Sequence, residues 1–374
     1  MLKLFEVEGF KNFNEKITLD FSDVRGYQFN EHCIKDGLLK NAIIYGKNSS
    51  GKTNFSLALY DIVQNFDDTD AYANRYDNYL NVSNKKGTAK FRYVFQFGND
   101  IVDYRYEKST YKTLVCEKLS INDILFVDKR YDSNDADDLS GLQEFAPSLN
   151  FDLFVSGSII KYALTNTRGK EGHVLYKMRQ YVIEITWFKA FDENAVRESS
   201  DKMHKIFSQY PGMLNAFQSL LDIAGINDTL QLKLDADGIE RLYSAPKHYP
   251  DGWLPFFKIA SSGTCSLYTF FVAYTAVVHR SISQSTLFLI DEYDAFYHFE
   301  LSETIVKLLA GLPDTQVILT SHNTNLMTNI LMRPDCLFIL TPEKLTSFVN
   351  ATIMELREGH NLEKLYMGGE FNVK

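Results

Sequence analysis

Apolar and polar residues alternate in the first third of the chain, and this pattern predicts β-strands. The alternation runs from Leu2 to Phe10 and, after a turn-like stretch, from Lys16 to Phe21, which predicts an antiparallel pair. It returns from Ala89 to Ile121, where Gly98-Asn99-Asp100 supplies a hairpin turn. We therefore expect a small antiparallel sheet in this region.

The middle of the chain has mostly helical spacing. This spacing extends from Phe151 to Ala224, with breaks near Thr165 to Gly172 and at Pro211-Gly212, and it predicts an inserted helical subdomain. The acidic, turn-rich stretch from Tyr131 to Ser140 is a candidate boundary. No heptad pattern is sustained, so a long coiled-coil arm is not expected.

Continuous apolar strands alternate with helices near residue 50 and again in the last third. Such alternation predicts a parallel sheet covered on both faces. The three expected segments are residues 1–130, 131–250 and 251–374. The predicted strands are Asn41 to Tyr45, Thr286 to Ile290, Gln316 to Thr320 and Cys336 to Leu340, and the predicted helices are Asn54 to Asn65, Leu267 to Val278 and Glu300 to Ala310.

Composition excludes several classes of protein. With 374 residues, 45% hydrophobic and 23% charged, the chain is long and apolar enough for a real core, so it is neither disordered nor collagen-like. The formal charge of -9 argues against a uniformly basic surface, so nucleic acid is expected only at a focal patch. The four cysteines are widely spaced, which excludes a zinc ribbon or disulfide framework. Without a signal peptide or membrane-length segment, we expect a cytoplasmic protein with no membrane contact.

A phosphate-binding loop is predicted between the strand ending at Tyr45 and the following helix. The run GKNSSGKT, from Gly46 to Thr53, fits the pattern G-x-x-x-x-G-K-[ST] in its expected strand-loop-helix context. Glycines at 46 and 51 allow backbone N–H groups to surround phosphates, Lys52 reaches the β- and γ-phosphates, and Thr53 holds Mg²⁺. The alternative is an ordinary glycine turn before a helix.

Two more apolar strands end in polar residues suited to phosphoryl transfer. The strand Thr286 to Ile290 leads into Asp291, which would orient Mg²⁺, and Glu292, which would act as general base on the attacking water. The strand Gln316 to Thr320 leads to His322, which we expect at the same sheet edge, near the γ-phosphate. The alternatives are a solvated acidic turn and a structural histidine.

A small-residue segment, Ala260-Ser261-Ser262-Gly263-Thr264, precedes the helix that leads to the Asp291 strand. By itself it indicates no more than a helix cap. Its position is that of the signature motif of ABC-type ATPases. Such a motif places a helix N-terminus and a serine hydroxyl against a nucleotide held by a second subunit, which predicts a dimer.

Taken together, these motifs resemble the ABC-type ATPase heads of the RecF/SMC/OLD superfamily, and more narrowly the stand-alone AAA ATPases of bacterial phage-defence and abortive-infection systems such as Septu and PARIS. The resemblance implies an α/β fold: an ABC-type P-loop NTPase head with an antiparallel β subdomain and a helical insertion. It extends over nearly the whole chain but is loose in the helical middle. It is carried by GFKNF at 9–13, GKNSSGKT, SSGT, LIDEYDAFYH, TSHNTNL and the tail from Leu356 to Gly369.

The same resemblance implies ATP and Mg²⁺ as cofactors and gives roles to individual residues. The signature reads ASSGT rather than the LSGGQ of transporters, and no Q-loop glutamine is placed, because Gln96 falls in a predicted strand. The implied roles are phosphate binding for Gly46, Asn48, Ser50, Gly51 and Lys52, metal binding for Thr53 and Asp291, catalysis for Glu292 and His322, trans nucleotide binding for Ser261 and Gly263, and dimer communication for Asp294.

Other polar and aromatic residues have two interpretations each. Asp235 and Asp237 form either a metal pair or, more simply, a hairpin turn. His298 either contacts phosphate or packs. The aromatic residues near it are expected in the core or an interface rather than in a base-stacking platform, since few cations lie among them: Phe296, Tyr297 and Phe299.

The leading hypothesis is an ATP-hydrolysing head that forms a homodimer, or a higher oligomer of dimers, and controls a separate effector protein in anti-phage defence. The effector is expected to be a nuclease or toxin on another chain, because no nuclease motif follows the last predicted strand. The alternatives are a RecF-like repair ATPase that clamps DNA directly, a non-hydrolysing ATP-bound scaffold or toxin inhibitor, and, least favoured, the ATPase subunit of a transporter.

Overall fold

The structure is a computed structural model that describes residues 1–68, 72–132, 137–167, 172–190, 207, 210, 212–281 and 285–371. The α-helices are α1 Lys52–Tyr60, α2 Ser140–Phe145, α3 Ile159–Asn166, α4 Val174–Ile183, α5 Met213–Ile223, α6 Phe256–Ile259, α7 Ser262–Ser281, α8 Phe299–Ala310 and α9 Leu362–Met367. Short 3₁₀ segments are Glu31–Cys33, Asp61–Asn65, Ala73–Tyr76, Phe151–Leu153, Thr324–Leu326, Pro334–Cys336 and Phe348–Asn350. Within the described ranges, no helix combines the length and apolar character needed to cross a membrane.

The strands form two large sheets and two smaller ones in the described part of the chain. They are β1 Leu2–Glu8, β2 Ile17–Asp20, β3 Ile34–Lys35, β4 Leu38–Leu39, β5 Asn41–Tyr45, β6 Ala89–Phe97, β7 Asp100–Thr110, β8 Thr113–Ile121, β9 Ile124–Arg130, β10 Thr186–Lys189, β11 Asp228–Leu234, β12 Glu240–Pro246, β13 Leu254–Pro255, β14 Thr286–Asp291, β15 Thr315–Ser321, β16 Leu337–Leu340 and β17 Leu345–Ser347.

The first large sheet is antiparallel, with the strand order β2-β1-β6-β7-β8-β9. The predicted N-terminal pair and the predicted hairpin after Phe97 are both confirmed. Its inner face is rich in buried aromatic rings, and Phe5 packs edge-on against Phe55 of α1 with ring centroids 5.6 Å apart. The Tyr93 hydroxyl donates to the Ala58 carbonyl at 2.7 Å. The sheet therefore supports the helix that follows the phosphate-binding loop.

The second large sheet has the order β10-β14-β15-β5-β16-β17, and all of its strand pairs except β16–β17 are parallel. Every residue of β5, β14, β15 and β16 is buried, as expected for a parallel sheet covered on both faces. The predicted parallel sheet is thus confirmed. Because its parallel strands end at one edge, the sequence motifs that follow β5, β14 and β15 meet there.

The segment predicted to be helical contains α3, α4 and α5, but the prediction is wrong at residues 186–189. There the chain forms β10, which pairs in parallel with β14 from Thr186↔Phe288 to Lys189↔Asp291. The run Thr186-Trp187-Phe188 is β-branched and aromatic, and it satisfies the edge of β14 that would otherwise be unpaired. The middle segment therefore contributes a strand to the parallel sheet, although the division at residues 130 and 250 stays a prediction. Pro211 and residues 133–136 of the predicted boundary lie outside the described residues.

A small sheet of β11, β12 and β13 follows α5. The turn between β11 and β12 contains Asp235 and Asp237, and the hairpin interpretation of these residues is confirmed. The Arg241 guanidinium bonds to both carboxylates, with Nη1–Oδ1 and Nη2–Oδ2 distances of 2.9 and 2.6 Å to Asp237. Charge pairing with arginine thus accounts for both aspartates.

Candidate functional site

The loop from Gly46 to Gly51 joins the buried strand β5 to α1, and its two glycines are sterically required. Gly51 has φ 101°, and a Cβ there would collide with the Asn12 side-chain amide. A Cβ at Gly46 would collide with Ser50 Oγ and lie 2.8 Å from the Leu340 carbonyl oxygen. Only glycine at these two positions permits this path of the loop.

Lys52, the first residue of α1, is folded into the loop. Its side chain is buried, and Nζ donates to the Gly46 carbonyl at 2.9 Å and to the Lys47 carbonyl at 3.3 Å. Burial lowers the pKa of Lys52, while the charge of Asp291 acts in the opposite direction. The ammonium group is thus held by carbonyl oxygens at the position where a phosphate-binding lysine is expected.

Thr53 and Asp291 meet across the start of α1 and the end of β14. The Thr53 hydroxyl donates to Asp291 Oδ2 at 2.6 Å, and the Thr320 hydroxyl donates to Oδ1 at 2.7 Å. Asp291 is fully buried. A hydroxyl beside a carboxylate is a hard oxygen donor set of the kind Mg²⁺ prefers, so these two residues fit the metal that the phosphate-loop motif implies.

Glu292 follows Asp291 in a left-handed backbone conformation with φ 51°, which is uncommon for a residue with a side chain. Its N–H donates to the Thr320 hydroxyl at 2.8 Å. Its carboxylate forms an ion pair with Lys189, with Nζ–Oε2 at 3.1 Å. Lys189 was not among the predicted site residues, because it lies in the segment that was interpreted as helical.

His322 comes directly after β15 and faces the loop. Its Nδ1 lies 3.3 Å from Lys52 Nζ, and burial together with the Lys52 charge lowers its pKa. The preceding residue, Ser321, donates through its hydroxyl to Asp294 Oδ2 at 2.7 Å. Burial raises the pKa of Asp294. The sheet edge therefore brings together most of the predicted catalytic and metal-binding residues, although their roles stay predictions.

The predicted signature residues lie at the start of α7. Ser261 Oγ accepts from the Thr264 N–H at 3.2 Å and lies 2.9 Å from the Thr264 hydroxyl, so its side chain caps the first turn. A Cβ at Gly263 would lie 3.2 Å from the Phe296 carbonyl oxygen, which shows how closely α7 approaches the segment after Asp294. No hydrogen bond within the described ranges connects Ser261 to the loop of its own chain.

The remaining loop residues differ in exposure. Asn48 is exposed on the loop, whereas Ser50 is buried and its hydroxyl has no hydrogen-bond partner among the described residues. Asn12, whose role the sequence did not reveal, donates through Nδ2 to the Ser50 carbonyl at 3.2 Å and accepts from Asn54 Nδ2 at 2.7 Å. It lies in the GFKNF run, so that run was the available signal. Asn12 thus braces the loop against the antiparallel sheet.

The segment between Asp294 and α8 contains His298 and the three aromatic residues near it. Its Nδ1 accepts from the Leu301 N–H at 3.1 Å, so His298 caps α8. Tyr297 lies with its hydroxyl 2.8 Å from the Ser266 hydroxyl on α7, while Phe296 and Phe299 are 41% and 38% exposed. Tyr297 therefore packs as predicted, whereas a core position is wrong for Phe296 and Phe299, for which an interface position stays a prediction.

A cavity of about 470 Å³ lies against the Gly46–Ser50 part of the loop, next to β16. Its other walls are the end of β16 with Thr341 and Pro342, and the tail residues Tyr366 and Phe371. The tail packs there through aromatic contacts, since the Phe371 and Phe348 ring centroids are 4.4 Å apart. The tail motif of the sequence therefore forms one wall of a cavity beside the phosphate-binding loop.

Three features at one edge of the parallel sheet define an ABC-type P-loop ATPase fold: a glycine loop after β5, an acidic pair at the end of β14 and a histidine after the intervening strand β15. The expected fold class is therefore confirmed. Residues 231–328 match the family model described as "AAA domain, putative AbiEii toxin, Type IV TA system", which agrees with the resemblance seen in the motifs. Among curated proteins, none matches this chain.

Several solved structures are similar over nearly their full length, at low identity. The SMC head domain from Thermotoga maritima is 15% identical, with 95% of this chain and 99% of that chain covered and a TM-score of 0.44. The Smc head domain from Pyrococcus furiosus, with an extended coiled coil and bound to the C-terminal domain of ScpA, is 14% identical, with 92% and 96% covered and a TM-score of 0.49. The recombination mediator protein RecF with ATP is 12% identical, with 93% and 99% covered and a TM-score of 0.42.

Proposed function

We propose that this chain binds and hydrolyses ATP with Mg²⁺, and that it does so as a head-to-head dimer that controls a separate effector protein. The observation that carries the proposal is the hydrogen bond from the Thr53 hydroxyl to Asp291 Oδ2 at 2.6 Å. Lys52 comes directly before Thr53 in the chain, and Glu292 directly after Asp291. A P-loop hydroxyl paired with a buried aspartate at the end of another strand of the same parallel sheet is the arrangement that phosphoryl transfer requires.

In this proposal the phosphates bind the N–H groups of the Gly46–Gly51 loop, and Lys52 exchanges its two carbonyl contacts for the β- and γ-phosphates. Thr53 and Asp291 would hold Mg²⁺, which neutralises charge on the phosphates. Glu292 orients the attacking water and accepts its proton, while the bond between the γ-phosphorus and the bridging oxygen breaks to release ADP and phosphate.

The dimer is proposed because Ser261 and Gly263 lie at the exposed N-terminus of α7, a helix of 20 residues. A helix N-terminus and a serine hydroxyl favour an anion, and no anionic group of the same chain is hydrogen-bonded to Ser261 among the described residues. In a two-fold dimer, these groups of one copy face the nucleotide on the loop of the other. ATP then connects the two heads, and hydrolysis releases them.

A protein effector is proposed rather than direct DNA clamping because the cations on the outer face of the antiparallel sheet are already paired. Arg92 lies 2.9 Å from Asp103, Arg105 lies 2.8 Å from the same carboxylate, and Lys118 lies 2.7 Å from Asp128. The net charge of -9 points the same way. The matching family model is described as a putative toxin of a type IV TA system, and we extend this description to propose a toxin or nuclease effector and a role in anti-phage defence.

The test uses Lys52→Ala and Glu292→Gln, with the exposed Glu144→Gln as control. Lys52→Ala is expected to abolish ATP binding in calorimetry. Glu292→Gln is expected to bind ATP, to hydrolyse it at least about 10²-fold more slowly, and to accumulate as an ATP-dependent dimer in size-exclusion chromatography with light scattering. Wild-type turnover in Glu292→Gln would refute the assignment of the base, and ATP binding by Lys52→Ala would refute the site.

A further inference from the structure

Lys189 is a cation at the centre of the candidate site that none of the sequence motifs contains. It ends β10, in register with Asp291 of β14, and the Ala190 N–H donates to the Asp291 carbonyl at 3.0 Å. The strand therefore sets the position of the lysine relative to the acidic pair. Its Nζ lies 3.1 Å from Glu292 Oε2 and 4.0 Å from Asp291 Oδ2.

The ion pair between Lys189 and Glu292 contributes little to folding stability. The two side chains are 27% and 34% exposed, and water screens the attraction between partly exposed charges. The pair does occupy Glu292, because the Oε2 atom that contacts Lys189 Nζ at 3.1 Å is not available to a water molecule. Lys189 thus restrains the residue proposed as general base.

The same lysine lies near the carboxylate that is proposed to hold Mg²⁺ beside the γ-phosphate. Asp291 Oδ2 accepts from Thr53 at 2.6 Å and lies 4.0 Å from Lys189 Nζ, so the hydroxyl and the ammonium group flank one carboxylate oxygen. A phosphate oxygen near Thr53 and Asp291 would offer Lys189 a second anionic partner. A positive charge at that point also stabilises the charge that develops on the phosphoryl group during transfer.

We propose that Lys189 senses the γ-phosphate: it pairs with Glu292 until ATP binds, and it then moves to the γ-phosphate and leaves the Glu292 carboxylate free to hold the attacking water. The inference rests on the proposed ATPase function. It makes Lys189 a residue that distinguishes ATP from ADP, because only ATP carries the phosphate that competes with Glu292 for the ammonium group.

The test compares Lys189→Met, which keeps most of the side-chain length without its charge, with Lys189→Arg, which keeps the charge. Affinities for ADP and for a non-hydrolysable ATP analogue are measured by calorimetry on the full chain with Mg²⁺. Lys189→Met is expected to bind the analogue about tenfold more weakly, to bind ADP as the wild type does, and to lower kcat by about 10²-fold. Lys189→Arg is expected to restore most of the preference for the analogue over ADP.

Lys118→Met is the matched control, because Lys118 also forms an ion pair, with Asp128 at 2.7 Å, but on the antiparallel sheet. Equal weakening of ADP and analogue binding in Lys189→Met would indicate a general structural effect and overturn the inference, as would unchanged affinities and turnover. A wild-type chain that binds no nucleotide would instead refute the proposed function itself. A thermal midpoint within the control's range shows that Lys189→Met is folded.

Discussion

The end of α1 is anchored to the antiparallel sheet by a buried ion pair, and we predict that neutralising its lysine strongly destabilises the protein. Lys108 of β7 donates to Asp61 Oδ1 at 2.7 Å, and the two side chains are 2% and 0% exposed. Asp61 follows directly after α1, the helix that begins with Lys52. The Tyr106 and Tyr79 hydroxyls also donate to Asp61, at 2.8 and 2.9 Å.

The expected magnitude follows from what Lys108→Met leaves behind. The Asp61 carboxylate would keep two neutral hydroxyl donors but lose its counter-charge in a site without exposure. Breaking a buried ion pair by removal of one partner costs about 3–5 kcal/mol, out of a total stability of about 5–15 kcal/mol for a typical domain. In the double variant Lys108→Met with Asp61→Asn, no charge is left unpaired: the amide oxygen accepts from one tyrosine hydroxyl, and the amide nitrogen donates to the other. This variant should be more stable than Lys108→Met alone.

The assay is urea unfolding followed by far-ultraviolet circular dichroism, with the free energy of unfolding taken from the midpoint and slope. Lys118→Met serves again as the control, because its ion pair is exposed and its loss should cost less than about 1 kcal/mol. A loss below about 1 kcal/mol in Lys108→Met would refute the reasoning. So would a double variant less stable than the single one, since the unpaired charge would then not be the cause.

Two further predictions concern the loop and the cavity beside it. Tyr366→Ala should weaken ATP binding by about tenfold in calorimetry and leave tripolyphosphate binding unchanged, because Tyr366 lines the cavity beside the loop, where the adenosine half of ATP would lie. Met367→Ala, at the exposed neighbouring residue, is the control. Equal ATP affinity in both variants would contradict the prediction. Gly46→Ala should abolish ATP binding, because its Cβ has no room beside Ser50, whereas Gly359→Ala, with nothing within 4 Å of its Cβ, should bind ATP normally. Normal ATP binding by Gly46→Ala would show that the loop adapts.

The positions of the Gly46–Gly51 loop and of the acidic pair in the fold could be predicted because their signals are local. Gly46 to Thr53 is one continuous run, and Asp291 and Glu292 follow directly on an apolar strand. The parallel sheet that brings them together follows from the same apolar strands, because parallel strands end at a common edge. The antiparallel sheet was equally accessible, since its alternation runs through strands that are neighbours in sequence.

Lys189 could not be predicted, because its position depends on a strand pair about a hundred residues apart in the chain. The run Thr186-Trp187-Phe188 is too short to show a period, and helical spacing on its N-terminal side dominates any window that includes it. Residues 186–189 form a strand because they pair with the edge of β14, and that edge forms only when the sheet folds. Asn12 is a similar case, since its contact with Ser50 joins two separate motifs.

Three consecutive residues at the end of β15 connect the parts of the proposed ATPase cycle. Thr320 donates to Asp291 and accepts from the Glu292 N–H, Ser321 donates to Asp294, and His322 lies 3.3 Å from Lys52. We therefore expect a shift of this strand end to move the residues proposed to bind metal, to act as base and to bind phosphate together, because Thr320 and Ser321 are buried in a closely packed sheet. In the proposed dimer, Asp294 precedes the segment that contacts α7. Loss of the γ-phosphate would thus move His322, and the peptide bond to Ser321 would pass this movement to Asp294 and the proposed subunit interface.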